Sequence, residues 1–150
     1  MMPRAQVSGA SAAGAERGSL PPGPARKPTL LVVDDETRVR SYVARMMANW
    51  GWSVIAVDSV ASAVLVARNT ELQAALCDVV MPRATGLEFV RQMRDVAPDL
   101  PVLLMSGHPT PELFLDEALP RWWAPVALIE KPFTGADLCA ALGHVTSQQS

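Results

Sequence analysis

With 150 residues, 49% of them apolar, the chain has material for one globular domain built on one core. The net charge of −2 is unevenly placed: residues 1–28 carry Arg4, Arg17, Arg26 and Lys27 against Glu16, so the remainder is acidic, which argues against nucleic acid as a direct ligand and towards a cation-binding site. No apolar run reaches membrane-spanning length, no secretory leader is visible, and Cys77 and Cys139 lack CxxC spacing, so the expectation is a cytoplasmic chain with buried free thiols.

Residues 1–28 are mostly Ala, Gly, Pro and Ser and end in Leu20-Pro21-Pro22-Gly23-Pro24, a composition that buries too little surface to offset its ordering entropy. A disordered lead-in is expected there, a single domain over 29–147, and a short tail at 148–150. From Thr29 the pattern alternates between strand and helix. Leu30-Leu31-Val32-Val33 is a β-rich run ending in Asp34-Asp35-Glu36. Val39, Tyr42, Val43, Met46, Met47 and Trp50 recur at helical steps, and Gly51 stops them. Val54–Val57 reads as a second strand, and Ser59 caps a helix burying Val60, Ala63, Val64 and Ala67.

The third strand, Ala74-Ala75-Leu76-Cys77, ends in Asp78-Val79-Val80-Met81-Pro82, with Gly86 beyond. The helix that follows presents Leu87, Val90, Met93 and Ala97, and Pro98 ends it. Val102–Met105 is a fourth strand, followed by Ser106-Gly107-His108. A weaker helical segment falls at 112–119 among several prolines. Val126–Ile129 is a fifth strand, followed by Lys131-Pro132-Phe133. Thr134 and Asp137 then form a capping-box-like start to a helix burying Leu138, Ala141, Leu142 and Val145. Five near-continuously apolar strands alternating with five helices predict a flavodoxin-like, doubly wound parallel α/β sheet covered on both faces.

In such a sheet the residues just after the strands share one edge. Asp34, Asp35, Asp78, Ser106 and Lys131 all fall there. If the strand order is 2-1-3-4-5, the ligand crevice lies between the first and third strands, where the three acids converge. Two carboxylates 4 Å apart repel by about 4 kcal/mol at an effective dielectric of 20, so a cation belongs among them. Hard oxygen ligands suit Mg²⁺. A lone carboxylate at the tip of a buried strand, a Mg²⁺ site, a fixed lysine and a hydroxyl make a phosphoryl-transfer set, with Asp78 as nucleophile.

At these residues the sequence resembles the receiver domain of two-component response regulators. Val32-Val33-Asp34-Asp35-Glu36, Asp78-Val79-Val80-Met81-Pro82 with Gly86, Met105-Ser106-Gly107 and Lys131-Pro132-Phe133 occur in the family's order over roughly residues 29–147. The resemblance implies that Asp78 accepts a phosphoryl group from the phosphohistidine of a histidine kinase or histidine phosphotransfer protein. It implies Mg²⁺ on Asp35, Asp78 and the Val80 carbonyl, with Asp34 binding directly or through water. Ser106 and Lys131 would contact the phosphoryl group, and the Lys131–Pro132 bond would be cis. The expected output is a switch in contacts with a downstream protein target, including a phosphorylation-dependent dimer, without direct nucleic-acid or membrane binding. Because only Thr146–Ser150 follow the last helix, a single-domain regulator is expected, which transfers phosphoryl to itself and slowly loses it but turns over no separate substrate.

Three departures from the family pattern stand out. Leu128 occupies a position where the family commonly has an aromatic residue that reports the switch. The Ser106-to-Lys131 segment is longer than usual and carries Trp122-Trp123, as in receivers attached to hybrid kinases. Val80, two residues after Asp78, has no side-chain group to hold a hydrolytic water; His108 is the nearby polar alternative. Two rival readings are weaker. An aspartyl-phosphate phosphatase of the haloacid-dehalogenase type needs a second acid where Val80 stands, and a receiver-like binding module that is never phosphorylated leaves the full polar set unexplained.

Overall fold

The computed structural model describes residues 27–81, 85–107 and 125–147. In chain order they form β1 (Thr29–Val33), α1 (Thr37–Ala48), β2 (Ser53–Val57), α2 (Val60–Asn69), β3 (Ala74–Asp78), α3 (Gly86–Val96), β4 (Val102–Ser106), β5 (Val126–Glu130) and α4 (Gly135–Ser147). The strands make one parallel sheet in the order β2-β1-β3-β4-β5, the flavodoxin-like arrangement expected from the sequence. The segment expected to form a further helix at 112–119 lies outside the described residues, as do His108, Trp122 and Trp123.

Strand side chains alternate between two cores. Leu31, Val33, Ala75, Cys77 and Leu104 pack with Val60 and Ala63 of α2 and Phe89, Val90 and Met93 of α3. Leu30, Val32, Leu76, Leu103 and Met105 point the other way and pack with Val43 and Met47 of α1 and Leu138 and Leu142 of α4. A period of two on a sheet covered by helices on both sides requires an apolar residue at every position of the central strands. β1, β3 and β4 meet that requirement apart from one polar residue at an end of each (Thr29, Asp78 and Ser106), while β2 and β5, at the two edges, are half-buried. The sheet is tied to the residue ahead of β1, since the Pro28 carbonyl accepts a hydrogen bond from Ser53 N at 2.8 Å.

The helix boundaries follow local chemistry. Gly51, at φ +91°, turns the chain out of α1 in a conformation that a side chain would strain. Ser59 caps α2 by accepting from Ser62 N at 3.1 Å. Thr134 and Asp137 form the reciprocal box at α4: Thr134 N donates to Asp137 Oδ2 at 2.9 Å and Asp137 N to Thr134 Oγ1 at 3.0 Å. Two helical faces differ from the periodic reading. On α1 the buried pair is Val43 and Met47, while Tyr42 and Trp50, at the margins of a wide apolar stripe, stay 51% and 54% exposed. On α3 the buried residues are Gly86, Phe89, Val90, Met93 and Arg94, and Leu87 and Ala97 are only partly covered.

Candidate functional site

Parallel register brings the strand ends to one edge. Val33 pairs with Cys77, so Asp34 and Asp78 are the next residues on neighbouring chains; Asp78 in turn faces Met105, one residue before Ser106. Lys131 follows β5, and its backbone N donates to the Ser106 carbonyl at 2.7 Å, which ties the lysine connector to the end of β4. The Lys131–Pro132 bond is cis.

Three of the expected side chains meet. Lys131 Nζ donates to Asp78 Oδ2 at 2.7 Å and stands 3.9 Å from Asp34 Oδ2. The other Asp78 oxygen, Oδ1, accepts from Val80 N at 2.9 Å. Asp34 is 0% exposed; its Oδ1 accepts from Glu36 N at 2.8 Å in an Asx turn, and its Oδ2 is buried without a hydrogen-bond partner. Ser106 is buried at the end of β4. Asp35 is exposed, and its carboxylate makes no hydrogen bond or ion pair with the described residues. Val80 is 70% exposed, with its backbone N turned towards the Asp78 carboxylate.

The electrostatics follow from burial and from the single ammonium. Burial raises the Asp34 carboxyl to a pKa of about 6, helped by the Asp78 and Asp35 charges; the Glu36 N–H and Lys131 oppose the rise without cancelling it. Burial alone would lower the pKa of Lys131. The hydrogen bond and charge of Asp78, with the charges of Asp34 and Glu36, more than offset it, so the ammonium is held on more firmly than in water. One lysine therefore serves two acids and is closely bonded to one of them.

That imbalance is the observation bearing on a metal. Among the described residues no group of three or more His, Cys, Asp or Glu side chains stands ready-gathered for an ion. The donors nevertheless fit a hard divalent cation: all are oxygens, and the buried Asp34 Oδ2 lacks a hydrogen bond that a cation would replace. Beside the lysine a groove of about 330 Å³ opens between α1 and the connector, lined by Arg38, Val39, Tyr42 and Phe133 among others.

Several supporting residues escape the sequence reading. Arg40 Nη1 donates to the Asp34 carbonyl at 2.7 Å and so fastens the acidic loop to α1. Thr85 caps α3 by accepting from Glu88 N at 3.2 Å, and a Thr-x-x-Glu spacing was there to signal it. The buried Arg94 donates to the carbonyls of Leu100 at 2.7 Å, Pro125 at 3.2 Å and Ala97 at 3.3 Å, joining the α3–β4 connector to the start of β5. Its only sequence signal is its place four residues after Val90 on the buried face. Cys77, next to Asp78, is a core thiol: its Sγ donates to the Asp78 carbonyl, and burial, then the charges of Asp78 and Asp34, push its pKa up and keep it unreactive.

The family model of the response regulator receiver domain matches residues 30–143. The response regulator MprA of Mycobacterium sp. (strain KMS) is 42% identical over 80 residues, 53% of this chain and 34% of that protein. The chain thus aligns to about a third of the length of such curated relatives. Among solved structures, the Vibrio cholerae chemotaxis protein CheY4 superposes with a TM-score of 0.71 at 25% identity, over 79% of this chain and 98% of that one. A sensor protein from Polaromonas sp. JS666 superposes with a TM-score of 0.72 at 22% identity, over 82% and 98% respectively. Since the matched stretch runs from the second residue of β1 to within four residues of the end of α4, the chain belongs to the response regulator receiver domain family.

Proposed function

We propose that this receiver is a phosphoacceptor: Asp78 takes a phosphoryl group from the phosphohistidine of a histidine kinase or histidine phosphotransfer protein, in a Mg²⁺-dependent reaction in the cytoplasm. The observation that carries this reading is the arrangement of Asp34, Asp78 and Lys131, two carboxylates around one ammonium with a buried Asp34 oxygen that has no hydrogen-bond partner. Carboxylates of Asp34, Asp35 and Asp78 and the Val80 carbonyl would hold the ion. Bound there, Mg²⁺ supplies neutralisation of charge on the phosphoryl oxygens.

In the transfer, an Asp78 carboxylate oxygen bonds to phosphorus while the P–N bond to the donor imidazole breaks. The imidazole leaves with the bonding pair and takes up a proton. Lys131, whose elevated pKa keeps it charged, is released from the carboxylate as that oxygen becomes an ester-like oxygen, and it pairs with the phosphoryl oxygens instead. The buried Ser106 hydroxyl donates to the same group from β4. Both contacts exist only after transfer, so they favour a second arrangement of the β4 and β5 ends and alter the surface offered to a downstream protein or a second copy. The protein returns to its starting state by slow loss of phosphate and turns over no other substrate.

The test is labelling by acetyl phosphate, a small acyl phosphate donor. Label incorporation that requires Mg²⁺ and disappears in Asp78→Asn is the expected result. Equal labelling of Asp78→Asn would remove Asp78 as the acceptor.

A further inference from the structure

The first residue of α3 is pressed against the strand that carries the acceptor. A Cβ placed on Gly86 would lie 3.0 Å from Val79 Cα, 3.1 Å from Leu104 Cδ2 and 3.3 Å from the Asp78 carbonyl oxygen. Gly86 does not adopt a positive φ, so the need for glycine here comes from close approach and not from backbone conformation. Two of the three neighbours are backbone atoms, and the third belongs to a leucine that is 0% exposed. The backbone atoms can give way only if the chain itself moves, and the leucine is enclosed by the core. By contrast, a Cβ on Gly143 of α4 would meet nothing within 4 Å.

The same contact is tied by hydrogen bonds. Gly86 N donates to the Val79 carbonyl at 2.8 Å, and Val80 and Thr85 form an isolated antiparallel bridge. Residues 78–80 and 85–86 therefore make a clasp, with the helix terminus on one side and the acceptor strand on the other. Val79 stands between the two residues that matter most. Asp78 precedes it, bonded to Lys131, and Val80 follows it, its N–H bonded to Asp78 Oδ1. Any shift of the Val79 backbone moves both.

We propose that Gly86 is a positioning residue for phosphoryl acceptance: its missing side chain lets α3 close on the tip of β3 and so sets the Asp78 carboxylate and Val80 backbone relative to Lys131. This inference rests on the role given to Asp78 above. Adding one methyl group is a change that a packed core absorbs by moving, and here the movable parts are the acceptor strand or α3 itself. A displacement of a few tenths of an ångström at a reacting group costs roughly ten-fold in rate.

The experiment compares the whole chain with Gly86→Ala, Gly143→Ala and Ser59→Ala. Ser59→Ala removes the cap of α2, where Ser59 accepts from Ser62 N at 3.1 Å, and weakens a helix outside the clasp, so it serves as the stability control. Readouts are the rate of labelling by acetyl phosphate across a Mg²⁺ titration and the melting temperature. Gly86→Ala is expected to lower the rate about ten-fold at subsaturating Mg²⁺ and to raise the Mg²⁺ concentration for half-maximal labelling, while Gly143→Ala and Ser59→Ala keep the wild-type Mg²⁺ dependence. A Gly86→Ala protein that labels like wild type overturns the role, as does a Ser59→Ala protein that reproduces its Mg²⁺ shift. A wild-type chain that takes no label at all refutes the acceptor reading instead.

Discussion

Asp34 Oδ2 lies 3.9 Å from the Lys131 ammonium, beyond hydrogen-bonding distance, and is buried with no other partner. The ammonium is engaged by Asp78 at 2.7 Å. A carboxylate kept from water and only weakly paired with the ammonium makes the metal-free fold less stable than its packing alone would allow.

The first prediction follows from the sign of that shift. The folded Asp34 pKa, about 6, exceeds the ordinary 3.8, so the folded chain binds this proton more tightly than the unfolded chain. The stabilisation is present in full below pH 3.8 and is lost as pH rises through about 6. At pH 7 the charged group therefore costs on the order of 2–3 kcal/mol in metal-free protein. Asp34→Asn, which keeps an acceptor for Glu36 N, should raise the melting temperature in chelator at pH 7 by roughly 5–10 °C. At pH 5 the gain should shrink by roughly half. An unchanged or lower melting temperature at pH 7 would show that Asp34 is adequately paired.

A second prediction concerns Val80, which is 70% exposed two residues after Asp78, the proposed acceptor. Its isopropyl group offers a hydrolytic water no hydrogen bond. The aspartyl phosphate is therefore expected to be long-lived, and Val80→Asn should speed its decay by about three-fold or more by orienting that water. Phosphorylated wild type and variant, freed of donor and followed side by side, provide the measurement. Equal decay rates would refute it.

A third prediction tests Arg94. Its guanidinium serves carbonyls on the α3–β4 connector and at Pro125, the residue before β5. Arg94→Met keeps much of the aliphatic volume but strands the Leu100 carbonyl and leaves those of Ala97 and Pro125 with only their backbone donors, Leu100 N and Val102 N, and it should cost about 2–4 kcal/mol in urea unfolding. The outer strand β5 should loosen first, visible as faster amide exchange at 126–130 than in β1 or β3. Uniform loss of protection across the sheet would contradict a local role.

The readable parts of the sequence were those governed by short-range rules. β1, β3 and β4 announce themselves because strands covered on both faces need apolar residues at every position, and the caps at Ser59 and Thr134 are set by residues three apart. The parallel sheet and the gathering of polar residues at one edge follow from strand-helix alternation. The faces of α1 and α3 were less legible. A stripe as wide as Val39 to Trp50 leaves open which members lie at its margin, and Arg94 was unreadable as a core residue because its partners are carbonyls far along the chain.

By itself the sequence determined which chemical groups stand at the strand ends, since strand length and chain order are local properties. It could not determine which of the adjacent acids Asp34 and Asp35 would be enclosed, because neighbouring residues leaving a strand face opposite ways and only the packed elements decide which side is dry. Tertiary structure buried Asp34, left Asp35 in solvent, and pressed Gly86 against Val79. Each of these depends on contacts between segments distant in sequence, whose separation is fixed only when the helices close over the sheet.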